Sequence, residues 1–395
     1  MKIAGIIAEY NPFHNGHAYH LGMTRERADA VVAVMSGNFV QRAEPAILNK
    51  FARARAAVEC GADLVIELPT SWAMSTAQRF ARGAVGILDS LGCVDFLSFG
   101  SESADLTLIL KAAEAVDSKE VSGYIRQNLT AGKTFASVRE DAVKEFFGAD
   151  TASVLSAPND ILGVEYCRAL LNLGSSVTPC PVKRINADHN SEECRDGFAS
   201  ASLIRSMIRK GESVSLLLPP ESMAVLDKEL KERTAPSSIE YLERAVLLKL
   251  RLMTPSELAG FPDISEGIEN RIIDAAKRCS TLQELYDAVK TKRYTHSRVR
   301  RIVMSVLLDV NYRLDYVPYA RVLAFNSVGA EVLRKAKKTT RIPIITKKSE
   351  LDFCNDIVKN AFESECRASE IFSMLTGCVP DFGTEFTNKI YIKKL

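Results

Sequence analysis

No stretch of this 395-residue chain holds the roughly 18 uninterrupted apolar residues that a membrane span requires. The first residues also lack the basic region and small-residue cleavage site of a signal peptide, and Met1-Lys2-Ile3 enters a strand at once. Nine cysteines are scattered along the sequence and never form CxxC, so reduced thiols in a cytoplasmic enzyme are the simplest account. Two phosphate-binding signatures are missing: there is no GxxxxGK[ST] loop and no GxGxxG after the first strand. Internal repeats and low-complexity segments are absent as well.

What remains is a globular composition, 47% hydrophobic and 25% charged. The length calls for two or three domains. Net charge is only +2, yet acidic residues are scarce towards the end. Residues 289–395 carry 20 Lys/Arg against 11 Asp/Glu, or +9, and the preceding residues carry 31 against 38, or −7. Two acid-free clusters, 290–301 and 334–348, supply most of the excess, and a basic rear of this kind suits a polyanion.

The first hundred residues alternate short apolar runs (3–8, 30–35, 64–68, 94–99) with helical patterns (17–27, 49–60, 75–91). Runs without period-two alternation read as buried parallel strands, so a Rossmann-like α/β domain with a parallel sheet is expected. Ligands on such sheets bind at the carboxyl ends of the strands. Residues 105–150 turn helical, with a break at Gly132, and read as an insertion. Strand-like 176–183 then returns to the sheet, after a helix starting near Asn159. We place the first domain at 1–218. Residues 219–395 form a mainly helical, basic region ending in a small α/β unit, in which strands 322–325 and 342–345 bracket a helix. The stripe Val299, Ile302, Val303, Val306, Leu307 and Val310 is core. Its neighbours Arg298, Arg300 and Arg301 cannot all share that buried face.

Directly behind the first apolar run stands Tyr10-Asn-Pro-Phe-His-Asn-Gly-His17. A strand giving way to a helix aims backbone N–H groups and helix-dipole charge at a phosphate, and Gly16 allows close approach. His14 and His17 can donate hydrogen bonds to phosphate oxygens whose charge changes as pyrophosphate leaves. The bland alternative is that they cap and pack. A metal reading from His14, His17 and His20 lacks the four ligands of structural zinc, and no metal site is assigned.

Other loops follow strands in the same way. Asn38, Gln41 and Arg42 form a substrate loop in which Arg42 can reach a phosphate; a structural loop with an Arg42–Glu44 surface pair is the alternative. Gly100 would let adenine or ribose approach the backbone, and Glu102 is either a site residue or a helix-capping acid. Asn159 and Arg184 lie at element edges on the same side of the sheet. Ser202 and Arg205, at another helix start, can hold the leaving pyrophosphate or simply cap and solvate.

With these pieces in order, the chain resembles the bacterial tRNA(Met) cytidine acetate ligase family of HxGH nucleotidyltransferases. The resemblance rests on Gly5–Ala18, Ser36–Arg42, Gly61–Pro69, Phe99–Glu102, Pro158–Gly163 and Arg293–Arg301. Ala43 replaces a glycine common in the family's second loop, and Ser200–Arg205 is a looser form of its serine-rich segment. The expected ATP site comprises Ile7, Ala8, Glu9, Tyr10, Asn11, Pro12, Phe13, His14, Asn15, Gly16, His17, Ala18, Tyr19 and His20, with Gly100, Asn159 and Arg184. His14 and His17 are the expected catalytic pair. Lys290, Lys292, Arg293, Arg298, Arg300, Arg301, Lys337 and Lys338 are the expected tRNA contacts.

The resemblance implies that acetate attacks the α-phosphate of ATP, giving acetyl-adenylate and pyrophosphate. The N4 amine of the wobble cytidine in elongator tRNA(Met) then takes the acetyl group. Magnesium is expected with ATP, although no carboxylate cage for it stands out. Two alternatives are a cofactor adenylyltransferase, which has no evident need of a basic rear, and a non-catalytic ATP- or RNA-binding regulator. No membrane contact or stable protein partner is expected.

Overall fold

The computed structural model describes residues 1–129, 134–185 and 197–394. The expected break at Gly132 lies outside them. Strands β1 (Ile3–Ala8), β2 (Ala30–Ser36), β5 (Leu64–Leu68), β6 (Phe96–Ser101) and β7 (Thr178–Lys183) run parallel in the order β5-β2-β1-β6-β7. Between β2 and β5, the two-residue strands β3 (Phe39–Val40) and β4 (Glu44–Pro45) form a separate antiparallel pair. All residues of β2 and β5 are buried, as their unalternating apolar sequences require of strands covered on both faces.

The chain visits β2 and β5 on one side of β1 and then crosses to β6 and β7 on the other. That reversal makes the carboxyl ends of β1 and β6 a topological switch point, where open α/β sheets bind their ligands. One face of the sheet is covered by helices Ala77–Leu91 and Pro158–Leu173, and the other by Lys50–Glu59 and Ala201–Lys210. Gly5 of β1 sits under Leu88: a Cβ there would come within 2.6 Å of Leu88 Cδ1, so glycine lets helix Ala77–Leu91 lie close on the strand.

Helices Leu106–Ala115, Lys119–Asn128 and Phe135–Phe147 occupy the region read as an insertion. From 243 to 308 the chain is helical around its own core, which includes Val246, Leu250, Ile272, Leu285, Val299 and Ile302. Beyond it, β8 (Ala320–Phe325), helix Ser327–Thr339 and β9 (Ile344–Ile345) form a βαβ unit whose two strands are parallel. This unit does not stand apart on the helices. β8 lies antiparallel against β5, and β10 (Tyr391–Ile392) adds beyond it, so strands from the last fifth of the chain widen the sheet built by β1, β2, β5, β6 and β7. The cause is exposure: β5 would otherwise be an edge strand with unpaired backbone groups along a buried segment that is apolar except for Glu67. No helix among the described residues is long and apolar enough to cross a membrane.

Candidate active site

A cavity of about 270 Å³ opens at the ends of β1, β6 and β7 and is walled by the first turn of helix Asn15–Arg25. His14 caps that helix. Its Nδ1 accepts from Gly16 N at 3.0 Å, and His17 Nδ1 accepts from His14 N at 3.3 Å, a reciprocal capping box. The capping reading of the two histidines is therefore correct, and it does not exclude chemistry. A ring whose Nδ1 accepts a backbone N–H carries the proton of its neutral form on Nε2, which becomes its one donor. The rings stack with centroids 3.8 Å apart, and Tyr10 packs edge-on to His17 at 5.0 Å. At Gly16 a Cβ would sit 2.9 Å from His14 Cε1, so the capping geometry itself demands glycine.

Burial lowers all three histidine pKa values, with the Arg184 guanidinium adding to the effect: His14 falls to about 3, His20 to about 4, and His17 well below its ordinary value. The rings are neutral donors, not cations. Positive charge comes instead from Arg184 and Arg205, both lining the cavity. Burial lowers the pKa of each guanidinium as well. Arg205 donates to Asn11 O at 3.0 Å and to Ser202 Oγ at 3.2 Å, which aims it along the cavity wall from helix Ala201–Lys210.

Most of the expected residues meet here. Ile7, Ala8, Glu9, Tyr10, His14, Gly16, His17, Tyr19, His20, Gly100, Asn159, Arg184, Ser202 and Arg205 line the cavity, as do Gln41 and Arg42 of the second loop. Several do not. Asn38 is buried away from it, with Oδ1 accepting from Lys50 N at 2.8 Å and Nδ2 donating to Ser369 Oγ at 3.2 Å. It holds the loop from behind and does not line the cavity. Asn11 Oδ1 accepts from Ile47 N at 2.7 Å, and Phe13 O accepts from Ser222 Oγ at 2.7 Å. Asn15 Nδ2 donates to Gly197 O and Leu216 O, both at 2.9 Å. With Pro12 and Ala18, these residues shape the motif from behind.

Glu102 is a capping acid, but for a distant helix. Its carboxylate accepts from Asn159 N at 3.1 Å and Asp160 N at 2.9 Å, at the start of Pro158–Leu173. Asp160 answers by accepting from Glu102 N and Ser103 N, both at 3.0 Å. The exchange fixes Asn159 beside Arg184, whose Nη1 stands 3.5 Å from Asn159 Oδ1.

The pair Arg42–Glu44 is replaced by a long-range one. Glu44 lines the cavity and binds Arg300 Nη1 at 2.7 Å, across 256 residues. Arg301 binds Asp263 at 2.7 Å, and Arg298 donates to Asp263 O at 3.0 Å with Glu266 at 3.7 Å. These three arginines are thus engaged with protein groups and are not bare cations; Lys290, Lys292, Arg293, Lys337 and Lys338 are exposed, and of these Arg293 pairs with Glu266 at 3.2 Å. Ala43, at the position where family resemblance favours glycine, has φ +57°. That left-handed conformation disfavours a side chain by about 1 kcal/mol.

Sequence reasoning missed Arg53, a fully buried guanidinium that donates to Glu9 O at 2.6 Å and Ser36 O at 3.1 Å. It ties the end of β1 to the end of β2, and burial lowers its pKa to about 10. It also missed Leu162 and Tyr166, which line the cavity. Their i, i+3, i+7 spacing from Asn159 puts the three on one helix face, a signal that was available. Among the described residues no group of three or more His, Cys, Asp or Glu is placed to hold a metal ion.

Comparison with known proteins bears on this geometry. Residues 1–382 match the family model described as HIGH Nucleotidyl Transferase. A tRNA(Met) cytidine acetate ligase from Acetivibrio thermocellus is 40% identical, aligned over 99% of this chain and 100% of its own. Another of that name from Thermosipho africanus is 36% identical over 95% of each chain. The crystal structure of Thermotoga maritima TmcAL in its apo form superposes with a TM-score of 0.95 at 32% identity, covering both chains in full. The same protein bound with alpha-thio ATP gives 0.93.

Proposed function

The chain belongs to the HIGH nucleotidyltransferase family and, within it, to the tRNA(Met) cytidine acetate ligases, and from that premise we propose how its residues carry out the reaction. It is an ATP-binding, tRNA-modifying ligase. Acetate attacks the α-phosphate of ATP in the cavity, acetyl-adenylate forms and pyrophosphate leaves. The N4 amine of the wobble cytidine of elongator tRNA(Met) then attacks the acetyl carbon. Its proton is lost, N4-acetylcytidine forms, and AMP departs.

The observation that carries this reading is the donor set: two neutral histidines with fixed tautomers, flanked by Arg184 and Arg205. Adenylate formation needs positioning and stabilisation of the charge that builds on phosphate oxygens, not a protein nucleophile. His14 and His17 would donate through Nε2, and Arg184 and Arg205 would offset the polyphosphate charge. Ser202 supports Arg205 on the pyrophosphate side. Gln41 and Arg42 would face the acetate and α-phosphate. Magnesium would arrive on ATP, held by phosphate oxygens. Among the described residues the wall's carboxylates are Glu9 and Glu44, which accept from Gln41 N and Arg300, and this set fits a nucleotide-borne ion. Residues 1–218 would perform the adenylation. Residues 219–395 would receive the tRNA, with Lys290, Lys292, Arg293, Lys337 and Lys338 as exposed phosphate contacts.

Incubation with ATP, labelled acetate and a tRNA pool is expected to place label in cytidine as AMP is released. ATP consumption that tracks a phosphorylated metabolite would select a cofactor adenylyltransferase, and absence of turnover a regulator. His17→Ala is expected to slow acetyl-adenylate formation by roughly 10²–10³-fold. A loss under threefold in a folded variant would sink the histidine assignment.

A further inference from the structure

Along the first turns of helix Ala77–Leu91, which also gives Phe80 to the catalytic cavity, lies a second depression. A cavity of about 210 Å³ is lined by Thr76, Gln78, Arg79, Arg82 and Arg313 among others. A wider one of about 620 Å³ adjoins it, sharing Thr76, Pro262, Asp263 and Arg313 and adding Arg298 and Arg301. Together they form one groove between the sheet domain and the helical region. Among the described residues five arginines line it, against a single carboxylate, Asp263.

That carboxylate is oversubscribed. It binds Arg301 at 2.7 Å and Arg313 at 2.6 Å, while Arg298 takes its backbone carbonyl. Arg82 is exposed and makes no ion pair among the described residues. Arg79 lies over Trp72 at 4.0 Å and donates to Leu314 O at 2.9 Å, with no carboxylate at ion-pair distance among the described residues. Burial, helped by the charges of Arg313 and Arg82 and opposed by Asp315 and Asp263, lowers its pKa to about 10. The first turn of Ala77–Leu91, capped by Thr76, adds backbone N–H groups to the same wall.

We propose that this groove holds backbone phosphates of the RNA substrate, bringing the strand that carries the target base across Arg79, Arg82 and Arg313 into the adenylation cavity. The proposal rests on tRNA being the acceptor. Position favours an RNA strand over a free nucleotide. Phe80 lines the catalytic cavity and Arg79, its neighbour, lines the groove. Helix His296–Leu308 likewise offers Arg300 to Glu44 at the cavity and Arg298 and Arg301 to the groove. On this proposal a base entering the cavity trails its sugar-phosphate backbone along these two shared helices, past the arginines. Phosphate contacts of this kind fix register and orientation without reading sequence.

The test uses the full chain and unmodified elongator tRNA(Met). Arg82→Glu combined with Arg313→Glu is expected to weaken tRNA binding on the order of tenfold and to flatten log K against log salt by about two units. Acetate-dependent ATP–pyrophosphate exchange without tRNA should stay at the wild-type level. Lys119→Glu with Lys144→Glu, on exposed positions of the inserted helices, makes the same change in net charge and controls for long-range repulsion. Arg82→Glu alone removes no ion pair, so a fold lost through Asp263 would leave it as the readable variant. Affinity and salt slope equal to the control's would overturn the groove. A raised KM for ATP with tRNA binding intact would reassign it to free nucleotide. A wild type that forms acetyl-adenylate but acetylates no tRNA would instead overturn the acceptor reading, and the groove's assignment with it.

Discussion

His14 and His17 each use two ring nitrogens for two purposes. Nδ1 completes the helix cap, and that bond sets the tautomer that leaves Nε2 as a donor. The depressed pKa values give this arrangement a pH signature. In the unfolded chain these imidazoles protonate near pH 6.5, whereas in the folded protein His14 does so only at about 3 and His20 at about 4. Between those limits the unfolded state binds more protons, so stability is fully present above pH 6.5 and is lost as pH falls. The slope is on the order of 1.4 kcal/mol per pH unit for each such group. Glu365, which burial raises to about 8, contributes in the opposite sense over part of that range, so the comparison must be a difference. Urea unfolding at pH 5 and pH 7.5 is expected to show a smaller loss on acidification for His20→Gln than for wild type. Equal losses would mean that His20 is not held neutral. His20 suits the test because its Nε2 meets Ser98 Oγ at 2.9 Å and lies outside the capping box.

Helix His296–Leu308 shows how an element reading succeeds and where it stops. Of the stripe read from sequence, Val299, Ile302, Val303, Val306 and Val310 are buried, and Leu307 is half-buried at its edge. Periodicity left the three flanking arginines without destinations, because it describes one helix and not what stands opposite. Arg300 reaches Glu44, on the short strand β4 at the rim of the cavity, and so anchors the loop that carries Gln41 and Arg42. Both partners are about one third exposed or less, which keeps the pair's effect on overall stability within about 1 kcal/mol. Its consequence should be local. Arg300→Gln is expected to raise KM for acetate or ATP about fivefold, the equivalent of ~1 kcal/mol, with little change in melting temperature. Steady-state kinetics of adenylate formation without tRNA would check this, and unchanged KM values would remove the anchor.

At the scale of the whole molecule, the two ends of the chain are locked together by buried charge. Lys50 Nζ binds Glu67 at 2.7 Å and Glu385 at 2.6 Å, and all three side chains are 1% exposed. Glu365, on helix Asp356–Ser373, takes Thr70 N at 2.7 Å and Thr70 Oγ1 at 2.8 Å beside them. Two acidic residues of the final segment are thereby fixed, Glu385 against the helix that precedes β5 and Glu365 against Thr70 just after it. Removing one member of such a cluster strands the others in a low-dielectric interior. Lys50→Met is expected to cost about 3–5 kcal/mol in urea unfolding. A cost below about 1 kcal/mol would show that the carboxylates escape to water or protonate without penalty.

What the sequence by itself determined is local. Runs 3–8 and 64–68 are strands over those same residues, Ser200 and Thr76 cap the helices that follow them, and the HxGH segment spans the strand-to-helix turn at the cavity. Side-chain periodicity, caps and glycine placement act over a few residues and are written in order along the chain. Tertiary structure decided the rest. It turned Asn38 away from the cavity, joined β8 to β5, paired Arg300 with Glu44, buried Lys50 among acids, and set the charge state of the histidines. Each of these depends on which groups meet across long separations and on how much water is excluded when they do. Neither quantity is carried by spacing along the chain.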